Sequence, residues 1–504
     1  MKKKFSIFAF SQLPLTFCFL LFAFCLLPTA FFSCKNSFYE IQTQGDLSAD
    51  NFFKTEDHAL SATNATYNVL RNWEIHVLAY VGCTDILSDD GDKGSEPNDA
   101  LFLLDMDNFT FDASNVAPIT VWQGYYRAIF RANLAIQRIP EVVGNEDLKK
   151  RLIAENKFLR AYFYFNLVRW FGDIPLVLKQ LQASEFKQQR AKTSDVYAQI
   201  ITDLKDCIDI LPEKSKYASD DLGRATKGAA RGFLAKVYLT QKDYANAEKY
   251  ALDVINSNEY ALFPNYDKIF SREGENSSES LFEVQCTVND TRTDGGSQYD
   301  EVQGVRGSPN LGWGFNRPSD SFIAEFETGD PRRDATVLYE GEVLPDGSGI
   351  VEKNPKEFNA RYNQKAWVPA HAGENGAGPG NIRLLRYSDI LLMAAEALNE
   401  NGKPADALKY LNAVRARARG GIKTILPDVT TADKVTLRNA VWHERRVELG
   451  LEQQRWFDLV RTGRAATAMK ANGKNFVIGK HEFLPIPQTE IDLSAGTITQ
   501  NPGY

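Results

Sequence analysis

Three of the seven tryptophans fall outside helical periodicity, and they are the side chains best placed to meet a ligand. Trp313 stands in NLGWGFNRP, between two glycines and close to Asn310, Asn316 and Arg317. Trp367 lies in KAWVP, Trp73 follows Asn72, and Tyr299 sits in GGSQYDEV. An aromatic face held in a loop can stack on the apolar C–H side of a pyranose, while amides and guanidinium groups bind its hydroxyls. The candidate ligand-binding residues are therefore Trp313, Tyr299, Trp73, Asn72, Arg317 and Trp367, with Trp313 leading. The competing reading for each ring is burial against the scaffold. Trp122, Trp170, Trp442 and Trp456 lie in segments of helical spacing and are assigned to the core.

Catalytic constellations are sparse. The five histidines (His58, His76, His371, His443 and His481) never form the H-E-x-x-H spacing that sets two imidazoles on one helix face. There is no G-x-S-x-G elbow or P-loop, and Gly376, Gly378 and Gly380 lack the Lys-Ser/Thr that a phosphate cradle needs. A glycosidase needs two acids ~5–10 Å apart. Among 65 acidic residues some pair will meet that spacing by chance, and the sequence selects none. SDDGDKGSEPND (Ser88–Asp99) offers Asp89, Asp90, Asp92 and Glu96 as oxygen ligands for calcium. It lacks the alternating Asp pattern and distal Glu of an EF-hand, so a solvated turn is the stronger reading. No metal site, cofactor or catalytic residue is expected.

Helices must position these loops. Trp122, Tyr125, Ile129, Ala132, Ile136 and Ile139 share one face of a helix that Pro140 stops, and Arg127, Arg131 and Gln137 fall opposite. Arg151–Phe171 is apolar nearly all round, as a helix packed on several sides must be. Ser194–Leu211 supplies a partner, closed by Pro212. Two segments are internal copies at an offset of 160: Gly232–Ile255 and Leu392–Arg415 share Ala235/Ala395, Ala245/Ala405, Ala247/Ala407, Lys249/Lys409, Tyr250/Tyr410 and Val254/Val414. Small residues at fixed points let paired helices approach closely, as in the tetratricopeptide repeat. The expected fold class is mainly α, a tetratricopeptide-like superhelix of helical hairpins in about four repeats. From about Ser271 to Gly380 the helical period fades, and loop-forming EVLPDGSGI and AGENGAGPGN appear, with Leu281–Cys286 a short strand. Asp85–Thr110 reads as a second loop-rich stretch.

At the amino terminus, Lys2, Lys3 and Lys4 precede an apolar run from Phe5 to Phe32 and then Ser33-Cys34. That order suggests a secretory signal over 1–33 with lipid attached at Cys34. Pro14 and Pro28 suit such a signal better than the alternative, an uncleaved membrane helix. Loss of 1–33, which holds three Lys and no acids, takes the formal charge from −7 to −10. An acidic body of this kind excludes the clustered cations of a nucleic-acid binder. Cys83, Cys207 and Cys286 then remain; their spacing suits neither a metal cage nor a dense disulfide framework, and they read as mostly buried thiols.

The carboxyl end, ERRVELGLEQQRWFDLVRTGR (Glu444–Arg464) and HEFLPIPQTEIDLSAGTITQNPGY (His481–Tyr504), resembles that of the SusD/RagB family. So do WQGYYRAIFRAN (Trp122–Asn133), AENKFLRAYFYFNLVRWFGDIPLV (Ala154–Val177), GRATKGAARGFLAKVYL (Gly223–Leu239) and RYSDILLMAAEALN (Arg386–Asn399), in the same order. On its own the charged helix says only that Glu and Arg hold a fold together. The resemblance implies a right-handed scaffold of four repeats whose irregular segments form the binding face. It divides the chain into a signal (1–33), an N-terminal part with repeats (34–270), a loop-rich insert carrying the ligand face (271–380) and a C-terminal segment with the last repeat (381–504). It further implies a non-catalytic glycan-binding lipoprotein of the outer membrane, facing outward, that hands oligosaccharides to a SusC-like TonB-dependent transporter. The alternatives are a peptide- or protein-binding tetratricopeptide scaffold and, less favoured, a surface glycosidase.

Overall fold

Long helical runs, most of them opened by a capping side chain, give this chain a stack of antiparallel helices. The computed structural model describes residues 52–289, 291, 293–353, 356, 361–371 and 373–504. The expected signal segment 1–33 and Cys34 lie outside them. Among the described residues, nine helices have 13 residues or more. They are α1 (Glu56–Asn68), α2 (Val116–Arg138), α3 (Glu146–Phe171), α4 (Thr193–Ile210), α5 (Lys227–Thr240), α6 (Tyr244–Asn256), α7 (Tyr387–Glu400), α8 (Pro404–Ala418) and α9 (Lys434–Leu449). Asn115, Asn145, Thr226, Asp243 and Asp433 each accept a backbone N–H at the start of a helix. Such a cap is worth roughly 1 kcal/mol.

Neighbours in this order pack on one another from α2 through α8, and α9 closes the stack against α7 and α8. The internal copies become the hairpins α5–α6 and α7–α8. These two hairpins are adjacent, because α6 lies on α7 although the whole insert separates them in sequence. The mainly α, hairpin-stacked fold expected above is what the chain adopts. α3 is the central post, with Phe158, Leu159, Phe163, Phe165, Leu167 and Trp170 all buried. Cys83, Cys207 and Cys286 are free and buried.

Four two-stranded antiparallel pairs carry the rest: β1 (Gly91–Gly94) with β5 (Phe315–Pro318), β2 (Ile174–Pro175) with β3 (Arg190–Ala191), β4 (Ser280–Val284) with β8 (Ile382–Arg386), and β6 (Val337–Tyr339) with β7 (Arg361–Asn363). The β4–β8 pair is a neck through which the loop-rich insert leaves the stack and returns. Phe282 on β4 pins that neck, its ring meeting those of Phe158, Tyr162 and Phe233. The Asp85–Thr110 stretch is more ordered than its composition suggests. It holds β1 and the helix Leu101–Asn108, which buries Leu103 and Met106.

Buried ions fasten the insert to α9. Arg332 of the insert is fully buried and donates to Glu444 Oε1 at 2.6 Å, to Glu448 Oε2 at 3.2 Å and to Asp330. Lys365 Nζ donates to Glu452 Oε1 at 2.7 Å and to the carbonyls of Glu448 and Gly450. Arg386 and Arg417 reach Glu448 from β8 and α8, sharing Glu279 as a second acceptor. Burial alone would raise the Glu448 carboxyl, yet Arg417, Arg386, Arg332 and Lys365 pull it well below the usual carboxylate range. The reading of these Glu and Arg residues as structural agrees with this geometry.

Removing one partner of such a lattice leaves the others buried and uncompensated, which typically costs ~3–5 kcal/mol. Glu448→Ala should therefore lower stability by about 3–5 kcal/mol in a urea titration. Arg333→Ala, which removes an exposed pair with Asp334, should change it by less than about 1 kcal/mol. Equal effects of the two substitutions would contradict the assignment.

Candidate functional site

Two of the sequence candidates meet. The rings of Trp73 and Trp313 lie with centroids 5.8 Å apart and planes tilted by 52°. Trp73 is 37% exposed and Trp313 half-buried, so each keeps a face toward solvent. Tilted rings at this separation present two apolar surfaces at an angle, the shape that suits a twisted chain of sugar rings better than a flat aromatic ligand.

The local sequence explains both placements. Trp313 is carried by a backbone pairing between 301–304 and 311–314, in which Trp313 N donates to Glu301 O at 2.8 Å and Gly314 N to Gly304 O at 3.0 Å. A Cβ on Gly312 would lie 2.6 Å from the Gly304 Cα, so only glycines permit this approach. Trp73 opens the short helix Trp73–His76, which rests on α2 at Gly124, where a Cβ would fall 2.5 Å from the Cβ of Glu74. Asn72 beside it is exposed, and its backbone N–H closes the preceding turn on Val69 O at 3.0 Å.

His76 holds this turn from beneath. Its Nδ1 lies 2.7 Å from Leu70 O and its Nε2 2.6 Å from the Tyr162 hydroxyl on α3. A neutral ring that donates from Nδ1 and accepts at Nε2 satisfies both partners. Burial lowers its pKa to about 4, against the pull of the Leu70 carbonyl.

Trp313 also lines a cleft of about 220 Å³ with Glu301, Asn310, Pro369, His371 and Gly376. Glu301 is the one carboxylate among the described lining residues, and it accepts from Gln298 Nε2 at 2.9 Å. Gly373 N donates to His371 Nδ1 at 3.2 Å, and burial lowers the pKa of this imidazole. The cleft offers two amide or imidazole groups, one carboxylate and an indole face. That set can hydrogen-bond hydroxyls around a stacked ring.

The other candidates lie elsewhere. Tyr299 is a correction: it is buried, and its hydroxyl accepts from Gln453 Nε2 at 2.9 Å rather than facing solvent. It begins a short helix, Tyr299–Gln303, which turns it toward the core while Glu301 faces the cleft. Arg317 points from β5 to Asp92 of β1 at 2.5 Å and is not among the cleft residues. Trp367 packs on the small core of Val305, Leu338, Leu344, Val351 and Tyr362, so it backs the cleft wall formed by Val368 to Ala370. Composition alone hides Glu301 and His371. Their one signal is company, since each lies within a few residues of a loop aromatic.

The acidic Ser88–Asp99 stretch is neutralised by arginines. Asp89 pairs with Arg455 and Arg446, Asp90 with Arg446, Asp92 with Arg317, and Glu96 and Asp99 with Arg306. Among the described residues no group of His, Cys, Asp and Glu is arranged to hold a metal ion.

Comparison with known proteins places this architecture. A family model described as "SusD family" matches residues 278–504, and one described as "Starch-binding associating with outer membrane" matches 87–239. SusD-like protein P2 of Formosa agariphila is 30% identical, over 91% of this chain and 95% of its own length. The starch-binding protein SusD of Bacteroides thetaiotaomicron is 31% identical over 75% and 76%. A solved laminarin-binding SusD-like protein superposes with a TM-score of 0.76 at 32% identity, over 90% of this chain and all of that one. Surface glycan-binding protein A from Bacteroides thetaiotaomicron, solved with laminarihexaose, gives 0.74 at 26%, over 89% and 100%. This stack of helical hairpins is the fold of those solved structures. The chain belongs to the SusD family.

The turn that carries Trp73 should be sensitive to acid through His76. Its folded-state pKa lies below the ordinary 6.5, so the unfolded chain takes up the proton first and stability falls as pH drops from 6.5 toward 4. Between pH 6.5 and 5 the contribution is about 2 kcal/mol. Between the two pH values, urea titrations should show a loss about 2 kcal/mol smaller in His76→Gln than in the wild type, the remaining dependence coming from groups such as His481, which burial also lowers. Parallel behaviour of the two proteins would contradict it.

Proposed function

We propose that this protein is a non-catalytic, lipid-anchored glycan receptor that binds oligosaccharides at the Trp73–Trp313 cleft and passes them to a SusC-like TonB-dependent transporter. The tilted tryptophan pair at the mouth of a polar cleft carries the reading. Relatives named for binding starch and laminarin support it, since the chain spans most of their length. Binding draws on both parts of the chain, with Asn72 and Trp73 from the N-terminal part (34–270) and Trp313, Glu301 and His371 from the insert (271–380). The C-terminal segment (381–504) braces them.

Relatives named as binding proteins favour a receptor over a hydrolase. Hydrolysis needs two opposed carboxyl groups, and among the described lining residues Glu301 supplies one. The outer membrane is the proposed location, with acylated Cys34 as the anchor and the binding face outward. Among the described residues no helix is long and apolar enough to cross a membrane.

Isothermal titration against starch and laminarin oligosaccharides tests the reading. Truncating a central aromatic anchor typically costs ~2 kcal/mol or more, so Trp313→Ala and Trp73→Ala should each weaken binding about 30-fold. No reducing ends should be released from any glycan bound. Unchanged affinity in both variants would remove the site, and hydrolysis abolished by Glu301→Gln would replace the receptor with an enzyme. In cells, Cys34→Ala should free the protein from the membrane fraction; membrane retention would refute the anchor.

A further inference from the structure

The segment 294–298 links the surroundings of two depressions. One is the Trp313 cleft. The other is a groove of about 490 Å³ lined by residues that include Tyr67, Asn68, Arg71, Gln285, Thr287 and Gly295. Arg71 ties the two together. Its Nη1 donates to Asp294 O at 3.2 Å and Gly296 O at 3.4 Å, and it stands two residues before Trp73. On the cleft side the same segment bridges the loop that carries Gly376, with Ser297 N donating to Gly378 O at 3.1 Å and Gly378 N to Ser297 O at 2.7 Å.

Size argues that the first cleft is only part of the site. Sites for small organic ligands usually span about 300–1,000 Å³. The Trp313 cleft, at about 220 Å³, falls below that range, and the groove, at about 490 Å³, falls within it. The two also differ in chemistry. Asn68 stands exposed at the groove with Thr287 beside it; its Oδ1 accepts from Arg71, while the exposed Gln285 amide is taken up by Asn276 and Asn381. None of the described lining residues is an indole, so the groove suits hydrogen bonding more than stacking. Among the described lining residues the charges balance, Arg71 and Arg224 against Asp220 and Glu283. An occupant matched to this lining is uncharged, rich in hydroxyls and long enough to have its other end between the tryptophans.

We propose that the Asn68–Arg71–Gln285 groove is a second subsite, which takes the continuation of the same neutral oligosaccharide held by Trp73 and Trp313. The inference rests on the glycan reading above. In it, the tryptophans fix one end by stacking, and the groove adds affinity only once the chain is long enough to pass Arg71.

Titration of the full chain with laminaritriose and laminarihexaose, and with maltotriose and maltohexaose, tests the proposal. For the series that binds, the hexasaccharide should bind at least about tenfold more tightly than the trisaccharide. Asn68→Ala, which removes an amide, and Thr287→Trp, which fills the groove, should each erase most of that gain. Their trisaccharide affinity should stay within about twofold of wild type, which also reports an intact fold. Hexasaccharide affinity unchanged in both variants would overturn the second subsite while leaving the receptor reading in place. Equal loss for both lengths would overturn it too, by making the groove inseparable from the cleft. Absence of binding by the wild type in every series, or indifference to Trp313→Ala, would instead strike the glycan reading and this inference with it.

Discussion

Glu448 is an anion without solvent: its carboxylate takes guanidinium groups from three places, and the Lys365 ammonium adds its field from a fourth. Arg332 comes from the insert, Arg386 from the end of β8, Arg417 from α8, and Lys365 contributes from the β7 side. Glu444, one turn earlier on α9, takes Arg332 and Arg415, and Arg446 continues the lattice to Asp90. Buried ions of this kind add little net stability over apolar residues of the same shape, but each is costly to leave unpaired. We read the lattice as a register device. The insert has one seating on α9 in which every charge is answered.

That seating is what positions the cleft. The insert leaves the stack through the β4–β8 neck, where Phe282 is enclosed by three aromatic rings. It is held again at Arg332 and Lys365, and a third time where β5 pairs with β1. Between these fixed points, the glycine-tight pairing of 301–304 with 311–314 brings Trp313 up to Trp73. Trp73 is fixed independently, by Gly124 on α2 and by His76. A site whose halves are already in place avoids the ordering cost that loops pay on binding, which is how shallow, mostly polar contact reaches useful affinity.

The helical stack was legible because its signals are local. Capping residues, small residues at a constant offset of 160 and proline stops follow from a single stretch of chain. The existence of the insert was legible for the same reason. The proposed face was only half legible. Trp73 and Trp313 stood out as loop aromatics, but nothing in either segment says that their rings meet. Tyr299 carried the same signal and turned inward, because the first residue of a short helix can point either way and Gln453 awaited its hydroxyl. Arg317 was drawn to Asp92 across a strand pairing that the sequence does not announce. Glu301, His371 and Arg71 were missed because they are ordinary polar residues, and only their neighbours give them a role.

Hydrogen exchange of the free protein tests most directly whether buried charge holds the face ready. Amides of 301–304 and 311–317 should be protected before any ligand is added, and Glu448→Ala should release them while α3 stays protected. Fast exchange of these amides in the free wild type, slowed only by bound glycan, would contradict a pre-formed site held by the lattice.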